Sequence, residues 1–279
     1  MTNTFLRFPG GKIKAVTLSY DDNVEEDVRL VEIMKKHGLK GTFNINSGQF
    51  SPEGSVGDVG NHGHRRMTVS DSVALHKDSG MEIACHGVDH AFMEQLPPGK
   101  MVSEILEDRK NLEQIYGTFV RGMAYPFGTY NDDLVNAARA CGIVYSRTVE
   151  STHKFDLPTD WLRLPSTCHH TDPQLMDLAR TFIEDKRRWS PKLFYLWGHS
   201  YEFEDNHNWN LMEDFASYVG ERDDVWYATN IEIYNYVSAY RRLIFSADGE
   251  TVCNPTTTEL FIKTGHGTFS VASGETKKI

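Results

Sequence analysis

The chain has 279 residues, 39% hydrophobic and 24% charged, which suits an ordinary globular protein with room for one large α/β domain and a small appendix. Asp+Glu 39 against Lys+Arg 29 gives a net charge of −10, which argues against a general binder of phosphate backbones and against an anionic membrane surface; no nucleic acid and no membrane partner is expected. No apolar stretch follows a basic start in the first residues and no run is of bilayer length, which reads as a cytoplasmic protein, and the widely separated Cys85, Cys141, Cys168 and Cys253 read as structural thiols in a reducing compartment.

Apolar β-rich runs alternate with segments of helical period. A strand is predicted over 14–20, then a helix over 24–37 with Val24, Val28, Val31 and Met34 on one face and Gly38 as its stop. A second strand covers 41–46, residues 51–66 form a long Gly- and His-rich loop, a short helix covers 70–77, and a third strand over 81–85 runs into His86. A helix over 100–116 leads to a fourth strand over 121–125, stopped by Pro126. There follow a helix over 131–140, strands over 143–147 and 161–164, and a helix opening at Thr171-Asp172-Pro173. The seventh strand covers 193–197 and precedes His199; a helix over 211–221, an eighth strand candidate over 225–229 and a helix to about residue 242 complete the series. Beyond Arg242, short apolar pieces lie between Asp248-Gly249, Asn254-Pro255 and Gly265-His266-Gly267 turns. The expected division is a barrel domain over 1–242 and a small β extension over 243–279 packed on it.

Strict strand–helix alternation means a parallel sheet, either a barrel or doubly wound. Asp21, Asp22, His86, Pro126 and His199 all fall at or just past the carboxyl ends of strands. In a (β/α) barrel those ends share the one face that carries active sites, whereas an open sheet would hold strands one and seven too far apart. A closed or nearly closed barrel is therefore expected.

The chemistry starts at Ser19-Tyr20-Asp21-Asp22-Asn23. Adjacent like charges need compensation, and a metal with a spare carboxylate as base is one form of it; turn and helix-cap chemistry is the other reading of Asp-Asp-Asn. His86 and His90, four apart, can share one metal with a carboxylate if the chain coils after the third strand; alone they would pass for polar loop histidines. Two His and one Asp suit Zn2+, and also cobalt, nickel or iron. His199 directly follows the apolar run Leu193–Trp197 and is a general-acid candidate or a satisfied core histidine. Pro and Gly around Tyr125-Pro126-Phe127-Gly128 can leave a backbone N–H free for an oxyanion, or simply end the strand. His62, His64, His169 and His170 match no ligand spacing and read as solvated loop residues or a rim that touches substrate.

In this order the residues resemble the NodB-type polysaccharide deacetylases of carbohydrate esterase family 4, over about residues 12–240. Ser19–Asn23 resembles T-F-D-D-G, His86–His90 resembles H-[ST]-x-x-H, Pro126-Phe127-Gly128 the end of R-x-P-Y-G, Asp160-Trp161 the end of D-x-x-D-W, and the strand running into His199 the motif L-x-H. The resemblance implies an α/β fold of the distorted (β/α)7-type barrel. It implies a divalent metal on Asp22, His86 and His90, Asp21 as base, the Phe127 amide in an oxyanion hole and His199 as acid, with Tyr125, Pro126, Trp161 and Trp197 against a carbohydrate substrate. The implied activity is hydrolysis of a linear amide C–N bond, removing N-acetyl groups from an amino-sugar oligo- or polysaccharide. Hydrolysis of a non-sugar or cyclic amide on the same barrel, or an inactive carbohydrate-binding protein, are the alternatives. The chain departs from the pattern at several places. Gly87 stands for Ser/Thr, Leu157 for the first Asp of the fourth motif, Trp197 for Leu, and Ala124 for the Arg that orients the base. Arg163, at the end of the sixth predicted strand, is expected to supply the missing guanidinium.

Overall fold

The computed structural model describes residues 4–55 and 64–279; His62 lies outside them. One parallel sheet organises the molecule: β1 (Lys14–Asp21), β2 (Gly41–Ile45), β3 (Glu82–Cys85), β4 (Gly122–Ala124), β5 (Tyr145–Ser151), β6 (Leu164–Ser166), β7 (Cys168–His169), β8 (Lys192–Gly198) and β9 (Val225–Tyr227). The spatial order is β6-β5-β4-β3-β2-β1-β8-β7, and β9 pairs with the first half of β1 where β2 pairs with the second. The two ends of this order are carried by one stretch of chain. Ser166 pairs with Ser151 of β5, the Thr167 N–H donates to the Tyr195 carbonyl (2.8 Å), and Cys168 pairs with Leu196 of β8. The result is a distorted (β/α) barrel of the expected class, with helices between the strands.

Alternation along each strand sorts the side chains. Val16, Leu18 and Tyr20 of β1 face outward and share a core with Leu30, Val31 and Met34 of the helix Asp27–Lys36. Val28, expected on that face, is 45% exposed; the helix starts three residues later than its periodicity suggested, and Val24 is buried ahead of it in a bridge with Arg66. The other parity of β1 points into the barrel and is polar from Thr17 onward. Thr17 Oγ1 donates to Asn230 Oδ1 (2.9 Å), and Ser19 Oγ and Asp21 Oδ1 accept from Asn44 Nδ2 (2.9 and 2.8 Å). The predicted strand over 161–164 is a single 3-10 turn, Trp161–Arg163, and the strand begins at Leu164.

The C-terminal residues form two three-stranded antiparallel sheets, and one of them recruits the N-terminal strand Phe5–Arg7 onto Leu260–Thr264. Tyr236 Oη ties both to the helix Asn230–Tyr240, donating to the Arg7 carbonyl (2.8 Å) and accepting from the Phe261 N–H (3.0 Å). All four cysteines are free thiols. Among the described residues no helix is long and apolar enough to cross a membrane.

The polar interior ends at Glu82, at the amino ends of the strands. Its carboxyl accepts from Tyr145 Oη (2.6 Å), Thr42 Oγ1 (2.8 Å) and the Ile231 N–H (2.9 Å). Burial outweighs these bonds and raises its pKa to about 7. Unfolded, a glutamate titrates near 4.5, so the folded chain holds the proton in between, and the stabilisation present below 4.5 is lost as pH rises toward about 7. Replacing Glu82 by Gln removes that slope. The stability difference between wild type and Glu82→Gln, from urea unfolding at pH 5 and pH 8, is expected to change by about 2.5 kcal/mol in favour of the variant; a difference that does not move with pH refutes it.

Candidate active site

The same alternation delivers the site. In β1 the inward parity is Thr17, Ser19, Asp21; in β3 it is Glu82, Ala84 and, one step past the strand, His86; in β5 Tyr145 and Arg147; in β8 Tyr195, Trp197 and then His199. Each series ends at the carboxyl edge of the barrel. Asp22 would point away from Asp21 in a continuing strand. Instead Asp22 and Asn23 both take positive φ (86° and 53°), which turns the chain and brings the second carboxylate back to the same opening. His90 (φ 53°) returns to the site after Gly87 (φ 76°), through a loop rather than a helical turn.

Asp21 is fully engaged. Asn44 Nδ2 donates to Oδ1 and Arg147 Nη2 donates to Oδ2, both deep in the barrel. Burial alone would raise this carboxyl; Arg147, His86 and His199 outweigh it and hold it below the usual range. Arg147 is 1% exposed and lies flat over Trp197, 4.2 Å from the ring centre. His86 donates from Nδ1 to the Ala124 carbonyl (2.8 Å), so its Nε2 is the ligand-competent nitrogen. Burial lowers the pKa of His86 and brings His90 to about 4, so both imidazoles are neutral. Asp22 is also ionised: burial opposes it, but Arg66 and three histidines hold it at about 2.

Asp22, His86 and His90 each offer one ligand atom, all within 4.8 Å of one another. Asp22 Oδ1 is buried and, although 2.8 Å from Arg66 Nη1, lies off the hydrogen-bonding line and has no hydrogen-bond partner. An orphaned carboxylate oxygen beside two neutral imidazoles fits a divalent cation. Asp21 stands outside this trio, and His199 Nε2 lies 3.9 Å from both Asp21 Oδ2 and Asp22 Oδ2. His199 is raised above the ordinary histidine value, since Glu202, Asp21 and Asp22 outweigh its burial. Among the described residues these groups open into a cleft of about 700 Å³ whose walls include Phe50, Tyr125, Phe127, Val149, Trp197 and Tyr201. Phe127 sits on the wall with φ 58°, its ring stacked on Phe92 (3.9 Å between centres) and edge-on to His90 (4.4 Å).

Several expectations are corrected. Arg163 does not reach Asp21; it pairs with Asp160 (2.6 Å) and Asp132 (2.5 Å) at the surface, because the 3-10 turn that carries it precedes the strand. Arg147 reaches Asp21 instead, and it is the register partner of Ala124, the position where the family motif has its Arg. Trp161 packs edge-on against Tyr234 (5.2 Å), and Pro126 is buried in its turn; neither lines the cleft, whereas Tyr125 and Trp197 do. Arg147, Asn44, Arg66 and Glu202 were missed by sequence reasoning. Glu202, three residues past His199, lies 3.3 Å from its Nδ1, while Asp160 is turned to Arg163.

The polysaccharide deacetylase family profile matches residues 8–146. A polysaccharide-deacetylase homologue of Bacillus subtilis (strain 168), YxkH, is 24% identical over 138 residues, covering 49% of this chain and 45% of that protein, so the chain spans about half the length of this curated relative. Among solved structures, a polysaccharide-deacetylase homologue from Mycobacterium smegmatis has a TM-score of 0.59 at 16% identity, covering 86% of this chain and 96% of that one. The peptidoglycan deacetylase PdaC of Bacillus subtilis, as a mutant, has a TM-score of 0.50 at 13% identity, covering 84% and 95%. At these identities the structural likeness is one of fold.

Removing Arg147 strands Asp21 in the barrel. Arg147→Ala is expected to lose about 3–5 kcal/mol of stability, with Arg147→Lys recovering part of it, while Arg163→Ala leaves the unfolding midpoint unchanged. Urea denaturation of the three variants checks this; equal midpoints for Arg147→Ala and Arg163→Ala would contradict the assignment.

Proposed function

This chain belongs to the polysaccharide deacetylase family, and we propose that it is a metal-dependent hydrolase that removes N-acetyl groups from an amino-sugar oligo- or polysaccharide. The observation that carries the reading is the division between the two aspartates. Asp22 joins a three-ligand set with His86 and His90, while Asp21 stays ionised outside that set with His199 facing it. A pure binding module has no use for a spare buried carboxylate held ready by a guanidinium. Aromatic walls beside the site suit the apolar faces of pyranose rings.

A divalent ion, Zn2+ by donor type, held by Asp22, His86 and His90 would supply Lewis acidity at the amide carbonyl and at a water molecule. The protein's own groups do the rest. Asp21 accepts a proton from the attacking water, and Arg147 with Asn44 fixes the direction from which it does so. The Phe127 N–H would be offered to the developing oxyanion from a turn in which positive φ reverses the chain. His199 gives its proton to the departing amine nitrogen as the C–N bond breaks, leaving acetate and a free amine. Trp197, between His199 and Arg147, closes one side against the acetyl group.

Acetate release from N-acetylglucosamine oligomers is the test. Asp21→Asn and His199→Ala are each expected to lower turnover about 10²–10⁴-fold, and a chelator is expected to abolish it until Zn2+ is restored. No release by wild-type protein supplied with Zn2+, across chitin and peptidoglycan oligomers, would remove the proposal.

A further inference from the structure

We propose a second cation site, built from His169, His170 and Glu202 and sharing no residue with the Asp22–His86–His90 set. The three ligand atoms lie within 4.8 Å of one another. Glu202 Oε2 is 3.0 Å from His170 Nε2 and 3.3 Å from His169 Nε2. Ligands about 2.0–2.2 Å from a tetrahedral zinc stand about 3.3–3.6 Å apart, so the two Glu202 spacings need little adjustment around an ion.

The orientation of His170 separates a cation site from a simple hydrogen-bonded cluster. Its side chain is 1% exposed, packed between Phe203 (4.1 Å between ring centres) and Tyr20 (5.7 Å), and the backbone N–H of His170 donates to the Trp197 carbonyl (2.9 Å). Neither ring nitrogen has a hydrogen-bond partner, although Glu202 is at contact distance. An imidazole serving as donor would aim its N–H along the line to the oxygen; this one is turned off that line. Burying an imidazole without a partner is unfavourable, and the chain makes room for it: a Cβ on Gly198 would lie 2.1 Å from His170 Nδ1. His169 is held against Thr171, with Nδ1 2.7 Å from Oγ1 and 3.2 Å from the backbone nitrogen, which leaves Nε2 toward Glu202.

Two imidazoles and a carboxylate are a donor set for zinc or another first-row dication. The ion would clamp the end of β7 to the helix Tyr201–Asp205 and fix Glu202, whose Oε2 also faces His199 Nδ1 at 3.3 Å. The site would thus be structural, set behind one wall of the cleft.

The test uses the whole chain loaded with Co2+, whose visible absorption reports coordination by nitrogen and oxygen. Wild type is expected to take up two equivalents, and the Asp22→Ala/His90→Ala variant to keep one with a ligand-field spectrum. Adding His169→Ala, at a half-buried position, or Glu202→Gln to that variant is expected to abolish the remaining equivalent. Failure of Asp22→Ala/His90→Ala to bind Co2+, or an equivalent that survives both further substitutions, overturns the proposal. A single equivalent in wild type, lost with His169→Ala but not with Asp22→Ala, would instead sink the first-site reading and leave this one standing.

Discussion

The architecture of the site depends on the buried pair between Arg147 and Asp21. A carboxylate inside a barrel is unfavourable unless its charge and lone pairs are met. Arg147 meets the charge, Asn44 takes the other oxygen, and Trp197 covers the guanidinium. Each partner is itself placed by the parallel register: Asn44 is opposite Asp21 on β2, and Arg147 is opposite Ala124 on β5. Asp21 therefore has one direction available to it, toward the opening where His86, Asp22 and His199 stand.

Much of this was legible in the sequence because strand periodicity is so regular here. Asp21, His86 and His199 could be placed on one face from their positions at strand ends alone, and the helix–strand alternation gave the barrel. The guanidinium expected of Arg163 is elsewhere for a physical reason. Arg163 lies near the end of the predicted strand over 161–164, but its segment is a 3-10 turn, so strand alternation does not apply to it. Arg147 carries the better signal, being two residues after Tyr145 and thus of the same inward parity, at the end of the strand predicted over 143–147. The shift of Val28 to the surface has a similar cause: a helix beginning at Asp27 rotates the buried stripe onto Leu30, Val31 and Met34.

Partners carried outside the barrel strands were not legible. Glu202 and Arg66 lie on segments whose path no periodicity fixes, and neither belongs to a spacing pattern that would single it out. The pair His169-His170 was set aside for the same reason. Consecutive residues point to opposite faces of a strand, yet the chain turns directly after His169, as Asp22 turns after Asp21, and two neighbouring side chains meet one carboxylate. Reactive neighbours at the end of a strand are thus a recurring device in this chain.

The two aspartates share a sequence environment and differ in what they can do, because of how many partners each oxygen has. Both are ionised, and each has a guanidinium of its own: Arg147 for Asp21, Arg66 for Asp22. Arg147 lies in a strand and hydrogen-bonds the carboxylate directly, so Asp21 is held in one orientation with a protein partner on each oxygen. Arg66 comes from the loop, binds the Asp22 backbone carbonyl, and passes Oδ1 without a hydrogen bond. Asp22 keeps an oxygen to give away. A ligand must be free to coordinate, while a base must be held in one orientation and relieved of charge repulsion. The proposed order of roles along Asp21-Asp22 follows from that difference, since exchanging them would leave the ligand saturated and the base unoriented.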